Sequence, residues 1–315
     1  MSSSADPLAD RIADWPARRV LGVAAGFVLA PLFAIGLFVT VAEATARHSP
    51  LSPGLHQAVV GLPAVLASYA VARRLLLRMP ASWFLAGRPG RRVLGWAAVG
   101  LALPAGILAV ELAAIGATRL GTLPGPAVAA SYLATSLAAG LLAGVLEELP
   151  LRGGLLRLLE ARWGPRAAVA ASAAVFAGLH QGHASGPRGL AFVLASMLAA
   201  GLLLGVVVVR TRSVWNAVAL HAGWNAVFGG RLVSVAGPGA PVRTAVLSFR
   251  LREAPVWLTG GEATLGAAPP TTAALLVAVV VVAWLVRRDD ATARPAPATR
   301  RSRSGARRDG PGGAP

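Results

Sequence analysis

Residues 190–209 read LAFVLASMLAAGLLLGVVVV, twenty consecutive residues without a charged side chain. A helix of this length spans about 30 Å, which is the thickness of the hydrocarbon core of a bilayer. The stretch therefore predicts a transmembrane helix. Seven further apolar stretches share this character, at about 20–42, 55–77, 93–117, 127–149, 167–180, 214–228 and 271–286. We therefore predict an all-α, polytopic transmembrane helix bundle of about eight spans.

The composition also indicates a membrane protein. Hydrophobic residues make up 55% of the 315 residues and charged residues only 14%, against about 25% charged in an ordinary soluble domain. So few charged side chains cannot cover a globular surface, which excludes a soluble enzyme and a disordered protein. The chain has no cysteine, so disulfides, thiolate metal sites and cysteine nucleophiles are excluded as well.

The net charge of +17 is carried by arginine, since none of the 30 basic residues is lysine. The arginines lie mainly at the ends of apolar stretches and in the C-terminal tail. This distribution is typical of cytoplasmic loops rather than of a nucleic-acid-binding face, so we expect no nucleic-acid partner. The lysine-free, alanine-rich composition indicates a bacterial protein. We predict that it lies in the cell membrane with both termini in the cytoplasm.

The spans and the polar stretches divide the chain into six segments. In chain order we expect a cytoplasmic N-terminal segment, N-terminal transmembrane helices, a core that carries the polar motifs, an exterior loop, a last transmembrane helix and a disordered basic tail. Their bounds are 1–19, 20–126, 127–229, 230–270, 271–288 and 289–315. Within the core, GGLLRLLEARW (153–163) combines leucine with charge at helical spacing, which predicts an amphipathic helix in the membrane interface.

Two adjacent acids lie at the end of the fourth span, in the string EELPLR (147–152). An acidic side chain at the bilayer centre costs at least about 2.5–3.5 kcal/mol, so such residues are candidates for function. Glu148 and Arg152 are four residues apart and can pair on one helix face. Glu147 lies about 100° around the helix and stays free for chemistry. The string also fits a charge cluster that ends a helix, and Pro150 removes one amide donor there.

Two more polar pairs occur at i,i+4 spacing. They are Phe176 and His180 in FAGLH, and His221 and Asn225 in HAGWN. Two donors such as His221 and Asn225 can hold a developing oxyanion. Each pair alone also fits a structural role, such as joining transmembrane helices. The three strings together supply a base, imidazoles and an amide donor, which is the set that a hydrolase needs.

The strings EExxxR, FxxxH and HxxxN resemble the signature motifs of the CPBP family. This family comprises the type II CAAX prenyl endopeptidases and their bacterial Abi-like relatives, which are intramembrane proteases. The resemblance covers about residues 131–229 and extends to RGGLL after the first motif and RTRSVWNAVALHAGWN around the last. Pro150 departs from the pattern, since an aliphatic or aromatic residue is usual there. The HExxH, GxGD and GxSG motifs of other intramembrane protease types are missing from the sequence.

The resemblance implies an endopeptidase that hydrolyses a peptide bond of a membrane-associated protein or peptide. Glu147 is then the general base that activates water, and His180 assists it. His221 and Asn225 stabilise the oxyanion, while the ion pair predicted in EELPLR orients the site from behind. The expected partners are the lipid bilayer and the substrate, which in a bacterial chain is a small membrane peptide or precursor.

The same residues also allow a zinc-dependent reaction. Glu147, His180 and His221 would then bind Zn²⁺ and leave one position open for water. The glutamate–water version is preferred, because the zinc version turns Glu147 into a ligand. A scaffold or a transporter with a proton relay through Glu111, Glu147 and His180 is the other class of function.

We expect the site to be a polar cavity nearer the cytoplasmic face. Counted from that face, His180 lies about 14 residues into the fifth span and His221 about seven into the seventh, which differ in depth by about 10 Å. The two imidazoles meet only if the fifth span begins outside the hydrocarbon or is strongly tilted.

Overall fold

The computed structural model describes residues 12, 14–46, 49, 51, 53–76, 78, 91–183, 186–229, 231–261 and 265–292. Most of the predicted N-terminal segment and of the predicted basic tail lies outside the described residues. Helices make up most of the described chain, which confirms the predicted all-α membrane bundle.

Nine α-helices and three short strands follow one another in the described part of the chain. The helices are α1 Ala17–Ala46, α2 Pro53–Leu76, α3 Arg91–Ile115, α4 Pro126–Glu148, α5 Arg157–Leu179, α6 Gly186–Thr211, α7 Val214–Phe228, α8 Val256–Thr259 and α9 Pro269–Thr292. The strands are β1 Thr118–Leu120, β2 Val233–Ala236 and β3 Leu247–Arg250. Each predicted span overlaps one of the long helices.

Four helical stretches of the described residues are long and apolar enough to cross a membrane. They are Leu55–Leu76, Arg92–Ile115, Pro126–Leu179 and Gly186–Thr211, and Pro269–Leu285 is a shorter apolar helix. The third of these contains two predicted spans. The count of eight spans therefore stays a prediction.

The chain does not leave the helical conformation after α4. Residues Leu149–Leu156 form a π-helix that leads directly into α5. Pro150 explains the change of hydrogen-bond pattern, because proline has no amide hydrogen to donate to the preceding turn. The acids of EELPLR therefore lie inside a longer helical rod, which rules out a charge cluster at a helix end.

The rod reverses direction at Gly164, which has φ 81° and ψ 169° and is followed by Pro165. This left-handed φ favours glycine. Beyond the corner, the second half of α5 runs back along the rod, so that the hydroxyl of Ser172 donates to the carbonyl of Leu151 at 3.4 Å. The corner thus brings the end of α5 back to the level of the two acids.

The leucines of the segment 153–163 face the interior of the protein rather than the membrane interface, whereas Trp163 at its end is 41% exposed. The side chains of Leu155, Leu156, Leu158 and Leu159 all belong to the hydrophobic core. The two glycines before them meet α1 and α2 at close range. A Cβ on Gly154 would lie 2.6 Å from the ring of Phe27.

Helix α7 lies in a narrow slot between α3 and α4. A Cβ on Gly223 would lie 2.5 Å from the carbonyl carbon of Gly100, and one on Gly144 would lie 2.9 Å from the carbonyl oxygen of Val218. Glycine at these positions therefore lets the helix backbones touch. The slot fixes α7, which carries the HAGWN motif, against the helix that carries EELPLR.

Two ends of the bundle can be distinguished. At the sheet end, β1 pairs antiparallel with β3, and β3 pairs parallel with β2. This end also contains residues 181–183 and 265–267. The arginine end contains residues 157–166 and 210–212, where Arg212 pairs with Glu160. The predicted exterior loop 230–270 is therefore a structured part of the sheet end.

Candidate active site

Glu147 and His180 face each other across a partly open space. Oε2 of Glu147 lies 3.5 Å from Nε2 of His180, and the two side chains are 27% and 19% exposed. The Nδ1 atom of His180 lies 2.8 Å from the carbonyl oxygen of Phe176. A carbonyl only accepts, so Nδ1 carries the proton, and in the neutral ring Nε2 presents its lone pair to Glu147.

Glu148 faces the opposite way and is fully buried. Its Oε1 accepts hydrogen bonds from Arg152 at 3.1 Å and from Nδ1 of His221 at 2.9 Å. The guanidinium of Arg152 also donates to the carbonyl of Gly201 at 3.2 Å and lies 4.6 Å above the ring of Phe176. The pairing of Glu148 with Arg152 follows from their spacing, and the bond to His221 joins this pair to α7.

A cavity of about 360 Å³ connects the polar residues. Its polar lining includes Glu147, His180, His221 and Asn225. Most of the remaining wall is apolar, with Leu103, Val193, Met197, Leu203, Trp224 and Leu275 among its members. The structure therefore brings the four residues assigned to catalysis to one cavity, while Glu148 and Arg152 lie behind it.

The cavity extends toward the sheet end of the bundle. Its lining includes His183, Gly229 and Gly266, all of which belong to connections at that end. The position of the site nearer the cytoplasmic face stays a prediction, because the structure fixes neither the membrane nor the orientation of the termini.

The imidazoles of His180 and His221 lie at a similar level of the bundle, because the run of α5 that leads to His180 begins farther from the cavity than α7 does. Glu160 contacts Arg212, just before α7 begins. The corner at Gly164 therefore projects beyond the start of α7. The longer run from this corner brings His180 to the cavity that His221 also lines.

The arrangement does not present a ready metal site. No group of three His, Asp or Glu side chains that could hold a metal ion occurs in the part of the chain that the structure describes. Glu147, His180 and His221 line one cavity but do not converge as a ligand set. The zinc version of the reaction stays the alternative to the glutamate–water version.

The bond between His221 and Glu148 was not predicted. The spacing of Glu148 and Arg152 predicted only their own ion pair. A contact between residues that are 73 positions apart leaves no local pattern in the sequence. A second feature that was not predicted is the ring of His183, which stacks on His180 at 5.4 Å between centroids. The first feature joins His221 to the buried pair of Glu148 and Arg152. The second places another imidazole ring beside His180.

Comparison with known families agrees with this geometry. Residues 129–227 match the family model described as type II CAAX prenyl endopeptidase Rce1-like. No curated protein matches the chain. The matched segment runs from α4 to α7 and contains the polar residues of all three motifs, which confirms the resemblance found in the sequence. Residues 129–227 of this integral membrane protein are therefore similar to the Rce1-like type II CAAX prenyl endopeptidases.

Proposed function

We propose that the protein is an intramembrane endopeptidase in which Glu147 activates a water molecule for attack on a peptide carbonyl. The observation that carries the proposal is the state of Glu147 itself. Its Oε2 is buried, faces His180 and accepts no hydrogen bond from the described residues. A buried carboxylate oxygen without a donor calls for a bound partner, and a water molecule between the two side chains supplies one.

The reaction then proceeds with a balanced transfer of protons. Glu147 takes a proton from the water as the hydroxide adds to the carbonyl carbon, and it returns that proton to the leaving amine. His180 orients the water through Nε2, because its Nδ1 is held by the carbonyl of Phe176. Asn225 and His221 donate hydrogen bonds to the oxyanion that forms on the carbonyl oxygen.

Glu148 and Arg152 support this step through His221. Because Nδ1 of His221 donates to Glu148, Nε2 can donate to an oxyanion only when the ring carries both protons. The buried carboxylate of Glu148 stabilises that imidazolium charge, and Arg152 holds the carboxylate in place. The pair thus positions a catalytic group without touching the substrate.

The proposed substrate is a membrane-associated peptide or protein with an apolar segment. The wall of the cavity between α6, α7 and α9 is almost entirely apolar, so it favours an apolar chain beside the scissile bond. The family name adds a prenyl group as one form of such a segment.

The test uses the purified protein in lipid nanodiscs with quenched fluorescent peptides. A farnesylated peptide that ends in a CAAX sequence, its unprenylated form and an apolar membrane peptide are the three probes. We expect cleavage of at least one probe by the wild type and none by Glu147→Gln. Equal rates for the two proteins would remove Glu147 from the mechanism.

A chelator separates the two versions of the reaction. The glutamate–water version predicts the same rate before and after extraction of divalent metals. A rate that falls on extraction and returns with Zn²⁺ would contradict it.

We also propose that both termini are cytoplasmic and that the sheet end faces the exterior. The proposal rests on the arginines of the other end. A reporter fused after Arg212 should read cytoplasmic and one within residues 237–241 exterior. The reverse pattern would overturn this orientation and place the opening of the cavity on the cytoplasmic side.

A further inference from the structure

A second cavity adjoins the catalytic one at the sheet end of the bundle. It has a volume of about 890 Å³, and the two cavities meet at Phe228, Gly229 and Gly266, which line both of them. Its other sides are formed by α4, strand β2 and the loop that connects β2 to β3. The proposed mechanism uses none of these residues. A substrate with its scissile bond in the catalytic cavity can therefore continue into the second one.

The second cavity is positively charged. Arg231 and Arg243 line it, whereas its described lining contains no acidic side chain. Both arginines are exposed, and the ion pairs among the described residues involve neither of them. An arginine guanidinium matches a carboxylate both in charge and in hydrogen-bond geometry. The cavity therefore favours a ligand that carries a carboxylate.

Helix α4 holds Arg231 at the place where the two cavities meet. The backbone N–H of Arg231 donates to the buried hydroxyl of Ser136 at 2.7 Å. Its guanidinium lies 5.3 Å above the ring of Tyr132. A guanidinium over the face of an aromatic ring keeps N–H groups for a ligand. Arg231 is thus fixed two residues after Gly229, beside the route from one cavity to the other.

Strand β2 has a free backbone edge. It pairs with β3 on one side only, because the order of the sheet is β1-β3-β2. The carbonyls of Leu232 and Ala236 accept hydrogen bonds from the first residue of β3 and from the residue that follows β3. Since backbone groups alternate in direction along a strand, those of Val233 and Val235 point away from β3. None of the described residues forms a backbone hydrogen bond with them.

The second cavity follows this edge. Val233, Ser234 and Val235 all line it, although consecutive residues of a strand point their side chains to opposite faces. The cavity therefore reaches the edge of β2 and not one face alone. An extended peptide can add to such an edge as a further strand. A phospholipid has no row of alternating donors and acceptors, so the edge favours a peptide over a lipid phosphate beside the two arginines.

We propose that the second cavity binds the substrate on one side of the scissile bond, as an extended strand along β2, with a carboxylate held by Arg231 and Arg243. The carboxylate belongs either to an acidic side chain or to the C-terminus of the peptide. The proposal rests on the proposed function in one respect, namely that the bound peptide is the one that is cleaved. A negative charge next to an apolar segment is then a feature by which the protein selects its substrates.

Peptide binding to Glu147→Gln in phosphatidylcholine nanodiscs tests the site without turnover. The probes are three fluorescent forms of the apolar membrane peptide: an amidated neutral form, a form with a free C-terminus and an amidated form with one glutamate beside the apolar segment. Empty nanodiscs give the background. We expect at least one charged form to bind on the order of tenfold more tightly than the neutral form. The form that does so identifies the source of the carboxylate.

The addition of Arg231→Gln or Arg243→Gln should remove this preference and leave the affinity for the neutral form unchanged. Arg119→Gln is the matched control, because Arg119 is also exposed but lies on β1, at the opposite edge of the same sheet and outside the second cavity. It should keep the preference. If the preference is absent, or persists in both arginine variants, the carboxylate site is wrong. Loss of co-purified phospholipid from those variants would then assign the arginines to a lipid phosphate.

N-methylation of alternate peptide amides tests the added strand. Only every second amide of such a strand faces β2. A peptide methylated on one alternate set should therefore bind on the order of tenfold more weakly than one methylated on the other set. Equal affinities would refute the strand. Binding to Glu147→Gln without cleavage by the wild type would count against the proposed function and leave this site in place, so the two failures can be told apart.

Discussion

Glu147 and Glu148 are adjacent in the sequence but belong to two different regions of the molecule. Glu147 borders the cavity, 3.5 Å from His180, and has a free oxygen. Glu148 is fully buried and holds Arg152 and His221 through one oxygen. The 100° step between consecutive helical residues thus separates a carboxylate that can exchange protons from one that holds other groups in place.

Under the proposed mechanism, one short motif supplies both a reactive group and its support. A reactive carboxylate needs access to water and a changing protonation state, whereas a supporting carboxylate needs constant charge and fixed partners. Substitutions on the two sides should therefore separate activity from stability.

The largest effect is expected for Glu147→Gln. The amide keeps the size of the side chain but cannot take a proton from water, so the cleavage rate should fall by about 10²–10⁴-fold. The unfolding temperature in nanodiscs should stay at the wild-type value, because Glu147 forms no ion pair with any of the described arginines. A large drop in that temperature would make Glu147 a structural residue like its neighbour.

Arg152→Ala should act in the opposite way, through stability. Removal of the guanidinium leaves the charge of Glu148 buried and without its arginine partner, which costs about 3–5 kcal/mol of unfolding free energy. Denaturant unfolding in mixed micelles measures this loss. The matched control is Arg212→Ala, whose side chain is 51% exposed where it pairs with Glu160 and which should lose less than about 1 kcal/mol. Equal losses in the two variants would contradict the supporting role of the buried pair.

Asn225→Ala tests a second residue that lines the cavity, the proposed donor to the oxyanion. Loss of one oxyanion donor lowers kcat by about 10²–10³-fold, with KM nearly unchanged because the donor acts in the transition state. Steady-state kinetics on the cleaved probe separate the two constants. A change confined to KM would make Asn225 a substrate-binding residue instead.

The smallest effect is expected for Gly144→Ala in the slot that holds α7. The new Cβ would lie 2.9 Å from the carbonyl oxygen of Val218, so α7 has to shift, at a cost of about 1–3 kcal/mol in unfolding free energy. Gly178→Ala is the control, since a Cβ there meets no atom within 4 Å. If the Gly144 variant is as stable as the control, the space between α4 and α7 accepts a Cβ without a loss of stability.

The sequence predicts the parts of this molecule that depend on local pattern. Apolar stretches of about 20 residues indicated the long helices, and i,i+4 spacing paired Glu148 with Arg152. The burial cost of acids in apolar helices also pointed to Glu147. Such signals need only a few neighbouring residues, so they can be recognised before any tertiary contact is known.

Contacts between residues that are distant in the sequence could not be predicted, because no local pattern indicates them. The bond between His221 and Glu148 depends on how α7 lies in its slot. The strands are three or four residues long, and β1 is separated from its partner by four helices. The loss of an amide donor at Pro150 was visible in the sequence, but the continuation of the chain as a π-helix over Leu149–Leu156 was not.

The rod from Pro126 to Trp163 has a consequence for the membrane around it. At 1.5 Å per residue it is about 57 Å long, and a tilt of about 40° still leaves about 44 Å along the bilayer normal, against a hydrocarbon core of about 30 Å. Part of the rod therefore stands in the headgroups or in water. A thicker bilayer covers more of the rod and a thinner one less. The depth at which the helices on either side of Gly164 sit is therefore expected to follow the chain length of the surrounding lipid.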